Sequence, residues 1–130
     1  MRRIRILLVW LPPLLRDILR DAVARERDVE IVAIAETRAE LETLERRFQP
    51  DVVVAGSSGS DAQAVANDVH QIAPSVVVVA IAQKGDRATL FSPGSTPLEI
   101  PDVSTDVLLK AIRDHCAANG NTRLPPTELS

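Results

Sequence analysis

Two hydrophobic periods alternate along the chain. Ile4–Val9 is a near-continuous apolar run of strand length, the pattern of a strand covered on both faces. Leu14, Leu15, Ile18, Leu19, Ala22 and Val23 then recur at helical spacing, with Arg16, Asp17, Arg20 and Asp21 on the opposite side. Asp28 precedes a second strand, Val29–Ala35. Thr37 and Glu40 form a capping box, which opens a helix carrying Leu41, Leu44 and Phe48 on one face and stopping before Pro50. Val52–Ala55 reads as a third strand, followed by the small polar loop Gly56–Ser60. Asp61–Ile72 reads as a third helix, with Ala62, Val65, Val69 and Ile72 facing inward. Val76–Ala82, with its four consecutive valines, is the strongest strand.

Beyond this point the pattern weakens. Lys84–Phe91 has room for two helical turns at most, and Ser92–Pro97 has loop chemistry. Leu98–Ile100 is a short strand candidate ending at Pro101. Ser104 can cap a last helix in which Val107, Leu108, Ala111, Ile112 and His115 or Cys116 face the core, and Gly120 lies just beyond its end. The expectation is a three-layer α/β domain over residues 1–118 with a tail at 119–130. Its five-stranded parallel sheet takes the doubly wound order 2-1-3-4-5, with a shortened or irregular fourth helix. Ligands of such sheets collect at the carboxyl ends of the strands. The residues to question are therefore Trp10–Pro13, Glu36–Thr37, Gly56–Ser58, Ala80–Gln83 and Ile100–Pro101.

Composition narrows the function classes. In 130 residues, 45% apolar and 25% charged, only 2% are aromatic, so the core must be aliphatic. A net charge of −3 with both signs scattered offers no basic stripe for nucleic acid. The single cysteine, Cys116, excludes an internal disulfide and a Cys-based zinc site. The basic start followed by a short apolar run lacks a small-x-small cleavage site and is too short to span a bilayer. The expected location is the cytoplasm, with no membrane contact.

The order and spacing of several segments resemble the receiver domains of two-component response regulators, whose fold is flavodoxin-like. ILLVWLPPLLRDIL (Ile6–Leu19) resembles the family opening, in which two acidic residues end the first strand. DVEIVAIAET resembles its second strand, and QPDVVVAG (Gln49–Gly56) the segment that carries the phosphorylated aspartate. LEIPDVSTDVLLKAIRDHC resembles the last strand, the Lys-Pro pair and the final helix. The resemblance implies Mg²⁺-assisted aspartyl phosphorylation, with carboxylates as ligands of the hard cation. Position by position, however, the acidic pair falls on Trp10 and Leu11 and the acceptor on Gly56. The Ser/Thr switch falls on Ala80, or on Ile81 under a one-residue shift. The lysine falls on Ile100, beside a retained Pro101. None of these side chains can perform the family's chemistry. The resemblance thus implies a degenerate phosphorylation pocket, no metal or other cofactor, and no enzymatic activity.

Other candidates have plainer readings. Trp10 either plugs the vacated pocket against Gly56 and Ala80 or anchors a partner. The Ser57 and Ser58 hydroxyls sit in neither a nucleophile elbow nor a P-loop. Asp51 starts its strand, at the end away from the pocket, and His70 and His115 lie on separate helices without a second ligand beside them. In the family, the fourth helix, fifth strand and fifth helix form the output and dimerisation face. Here that face is remodelled, with Leu90, Phe91, Pro93, Leu98 and Val107 as candidate partner contacts. The leading expectation is a stand-alone pseudo-receiver that binds a protein partner or a second copy in bacterial signal transduction. The alternatives are a sensor of an apolar small molecule in the pocket lined by Trp10, Leu11, Gly56, Ala80 and Ile100, or the receiver part of a transcriptional regulator.

Overall fold

The computed structural model describes residues 4–56, 62–82, 87–92, 96–100, 104 and 106–114. In chain order these form β1 (Ile4–Val9), α1 (Pro13–Ala24), β2 (Val29–Ala35), α2 (Arg38–Phe48), β3 (Val52–Gly56), α3 (Ala62–Ile72), β4 (Val77–Ile81), β5 (Ala88–Phe91) and β6 (Leu98–Ile100). A last helix, α4, occupies residues 106–114. The sheet runs β2-β1-β3-β4-β5-β6, and β2, β1, β3 and β4 are mutually parallel.

Val-rich runs form the central strands because both faces of the sheet are covered. Leu7, Val9, Val53, Ala55, Val78 and Ala80 pack on the side of α2 and α3. Ile6, Leu8, Val52, Val54, Val77 and Val79 pack on the opposite side, with Leu19 and Val23 of α1 and with Leu108, Leu109 and Ile112 of α4. The helix ends follow local chemistry. The Thr37 hydroxyl accepts from the Glu40 amide at 3.1 Å, and the Glu40 carboxylate reaches back one residue further than expected, to the Glu36 amide at 2.7 Å. Gln49 takes the left-handed cap that closes α2 (φ 48°), and its amide donates to the Glu45 carbonyl. Ser104 caps α4 through the Val107 amide at 3.2 Å. In α1, by contrast, Leu14 and Ile18 stand exposed, although their spacing assigns them to the core face.

The three-layer α/β expectation and the order 2-1-3-4 hold, but the end of the sheet needs correction. Among the described residues the sheet has six strands, not five, and is not wholly parallel. A short fourth helix is expected within Lys84–Phe91, but its described part, 87–91, carries β5, which folds back antiparallel onto β4, and β6 returns antiparallel onto β5. Period two explains the switch: Ala88 and Leu90 face the α1–α4 side, whereas Phe91 faces the α2–α3 side. A hairpin bond from the Ala82 amide to the Arg87 carbonyl at 2.8 Å extends the pairing. The strand thus buries on both faces what two helical turns would bury on one. The expected boundary at 118 and the tail at 119–130 lie outside the described residues, as do Ser57–Ser60, Pro93, Pro101, His115 and Cys116.

One polar clasp joins distant parts of the chain. Arg113 of α4 grips Asp28, before β2, in a two-pronged pair at 2.7 and 3.0 Å, and it also contacts Glu26. The hydrogen bond from Arg113 holds the Asp28 carboxyl below its ordinary range. A lowered folded-state pKa contributes stability above the unfolded value, near 3.9, that is lost as pH falls through the folded value. Both partners are partly solvated, so Arg113→Ala is expected to cost about 1 kcal/mol. Urea denaturation should show this difference unchanged between neutral pH and roughly pH 5, shrinking below about pH 4.

Candidate functional site

The chemistry of this fold is expected at the carboxyl ends of β1, β3 and β4, and there the main chain itself fills the space. β1 ends at Val9, and Trp10 then turns into the left-handed region with φ 58°. For a residue with a side chain that conformation costs on the order of 1–2 kcal/mol, so the surroundings must hold it. Its amide still donates to the Ala35 carbonyl at 3.4 Å. The turn carries the Trp10 carbonyl and Leu11 across the end of β3. A β-carbon added at Gly56 would collide with the Trp10 carbonyl oxygen and would lie 3.1 Å from the carbonyl carbon and 3.5 Å from the Leu11 Cα. Only glycine fits beneath this loop. The two side chains then diverge: Leu11 sinks into the α1–α4 side of the core, while the Trp10 ring packs, partly buried, against the α2–α3 side.

The expected pocket residues are brought together only in part. Trp10, Leu11 and Gly56 meet at one point, although the plug over Gly56 is the Trp10 backbone and not its ring. Ala80 is buried in β4 next to Ala55, with Thr89 of β5 opposite it. Ile100 does not join them. It shares a row with Gly56 through Ile81 and Ala88, which places it three strands away. That is roughly 14 Å at the usual strand spacing. The inserted β5 is the reason, since it separates β4 from the strand that carries Ile100. Pro101 lies outside the described residues. No signal in the sequence marks Thr89, because the pattern of Lys84–Phe91 predicts at most two helical turns there.

Among the described residues no cluster of three His, Cys, Asp or Glu side chains is placed to hold a metal ion. Asp51 sits at the far end of β3, where it accepts from the Arg5 amide at 3.0 Å. His70 Nε2 lies 3.0 Å from the Val76 carbonyl and ties α3 to the start of β4. Of the expected partner contacts, Leu98 and Val107 are exposed at 44% and 45%. Leu90 and Phe91 are not surface residues: both are buried, because β5 lies inside the sheet and points them into opposite core faces. Pro93 is not among the described residues.

An open groove of about 420 Å³ lies on the other side of the Trp10 turn, toward β2. Trp10, Pro12, Pro13 and Ile34 form its apolar walls, and Arg16 and Glu36 form an ion pair at 3.3 Å along it. Gly56, Ala80 and Ile100 do not line it. The spacing of Arg16 assigns it to the solvated face of α1, and nothing in that spacing marks it as a groove residue. Among the described residues no helix is long and apolar enough to cross a membrane.

The Trp10–Gly56 contact makes a direct prediction. Gly56→Ala forces the loop upward and should destabilise the fold by roughly 2 kcal/mol, within the usual range for overpacking. Urea denaturation followed by the emission of Trp10, the single tryptophan, measures both the loss and the accompanying change in ring environment.

No family model and no curated protein matches the sequence. Solved structures do. The response regulator domain of Thermotoga maritima CheB is similar over 89% of this chain and 98% of that one, with a TM-score of 0.61 at 17% identity. A LuxR-family two-component response regulator from an Aurantimonas species is similar over 62% of this chain, with a TM-score of 0.51 at 24% identity. That match spans 59% of the Aurantimonas chain. The protein therefore has the fold of response regulator receiver domains, and in its own sheet the antiparallel β5 lies between the fourth strand and the last.

Proposed function

We propose that this chain is a regulatory module of signal transduction that is not switched by aspartyl phosphorylation and acts by binding a protein. The observation that carries the reading is the packing of the Trp10–Leu11 backbone over Gly56. In the resemblance, Gly56 stands where a receiver carries its acceptor. The protein backbone occupies the space an acceptor side chain needs, and Trp10 and Leu11 offer no carboxylate to a cation. The fold is kept while the reactive groups are replaced by apolar ones, which favours a binding role over a catalytic one. On this reading the protein works in the cytoplasm, needs no cofactor and does not contact nucleic acid itself.

Incubation with acetyl phosphate, or with beryllofluoride and Mg²⁺, tests the reading by intact mass and thermal melting. No phosphoryl adduct and no Mg²⁺-dependent rise in melting temperature are expected. A stable adduct on this chain would overturn the proposal. The small-molecule reading loses its original pocket, because Ile100 lies far from Gly56 and the groove beside Trp10 opens elsewhere. The reading as the receiver part of a transcriptional regulator draws on the LuxR-family neighbour, whose chain extends well beyond the shared portion.

Self-association is the first partner mode to test, through the exposed Leu98 of β6 and Val107 of α4. Replacing both by Asp should weaken association in sedimentation experiments. It should leave unfolding stability within about 0.5 kcal/mol, as for most surface substitutions.

A further inference from the structure

We infer that the groove between the β1–α1 turn and the end of β2 binds a small aromatic carboxylate. This inference does not depend on the phosphorylation reading, since the groove excludes Gly56 and Ala80. The groove lies at the carboxyl ends of two parallel strands, the end where such sheets take ligands. Its volume, about 420 Å³, falls in the range of small-molecule sites. Trp10, Pro12, Pro13 and Ile34 supply apolar walls suited to a flat apolar body.

The polar group on the ligand follows from Arg16. Its side chain is only 25% exposed, yet its one partner among the described residues is the Glu36 carboxylate at 3.3 Å. A guanidinium presents five N–H donors, so most of this one has no protein acceptor among the described residues. A carboxylate can take two of those donors side by side at about 2.8 Å, shorter than the present contact. Glu36 can give way readily. Its side chain is 73% exposed, and its backbone amide is already held by Glu40.

The site thus combines apolar walls with an under-used cation whose present partner is a displaceable acid. An anionic ring system matches both halves, whereas a neutral one leaves Arg16 with Glu36. The two variants should therefore move affinity in opposite directions. Arg16→Gln removes the anchor. Glu36→Gln removes the competing carboxylate and leaves the guanidinium to the ligand.

The test is a titration of the full chain with 2-naphthoate and, separately, with its neutral isostere 2-naphthamide, following the single indole N–H resonance by NMR. A saturable shift with 2-naphthoate is expected, with 2-naphthamide binding at least about ten-fold more weakly, a difference of one decade in Kd. Glu36→Gln should tighten 2-naphthoate binding several-fold, and Arg16→Gln should reduce it to the level of the amide. Unchanged backbone spectra elsewhere confirm that each variant is folded. No saturable shift at millimolar 2-naphthoate would overturn the inference. Equal binding of acid and amide, the behaviour of an apolar patch that serves a macromolecular partner, would also overturn it, as would a Glu36→Gln variant that binds no more tightly.

Discussion

The close approach of the Trp10 carbonyl to Gly56 is the constraint on which this end of the sheet depends. It needs two unusual residues at once: a tryptophan held in a left-handed backbone conformation and a strand-terminal glycine without a side chain. Neither is stable in isolation, because the left-handed turn costs energy and glycine weakens a strand. Burial on both sides holds them together. Leu11 is drawn into the α1–α4 side of the core, the Trp10 ring leans on the α2–α3 side, and the peptide between them is left over β3. The loop is thus fastened by two apolar anchors on opposite faces of the sheet. Metal-binding acids at these two positions would have no reason to seek either core.

The second departure lies at the far end of the sheet and has the same consequence. A fourth helix would leave β4 beside the last strand and bring that strand's final residue near Ala80. The antiparallel β5 takes that place, so the end of β6 is displaced by one strand spacing. The expected pocket residues are therefore kept apart in two ways, by the loop folded down at the end of β1 and by β5 set beside β4. Among the described residues Thr89 pairs with the buried Ala80, and a separate groove lies beside Trp10.

Most of the fold was legible because it rests on strong local signals. Continuous valine runs mark strands covered on both faces, and Thr37 with Glu40, and Ser104, mark helix starts that the structure uses as caps. The four parallel strands and α1, α2 and α3 lie within a residue or two of their expected bounds. Where the reading failed, a short segment carried two periods at once. Residues 88–91 are too few to separate a helical turn from a strand, and the decision came from pairing with β4, a long-range contact. The candidate site is legible only through the resemblance, as an absence, since Trp10, Leu11, Gly56 and Ala80 stand where it implies acidic, acceptor and hydroxyl residues. How the space was filled was not legible, because a left-handed tryptophan has no sequence signature. Leu14 and Ile18 misled for a simpler reason: their helical spacing is sound, but the core covers only the arc around Leu19 and Val23.

The central claim is that the β1–α1 backbone lies directly over Gly56, and proton–proton distances in solution test it without any substitution. The account predicts a clear nuclear Overhauser effect between an α-proton of Gly56 and the α-proton of Leu11, because the side-chain position of Gly56 lies 3.5 Å from the Leu11 Cα. Absence of that effect in a fully assigned, folded sample, with the neighbouring β1–β3 contacts present, would mean the loop stands away from β3. The space over Gly56 would then be open, contradicting the account.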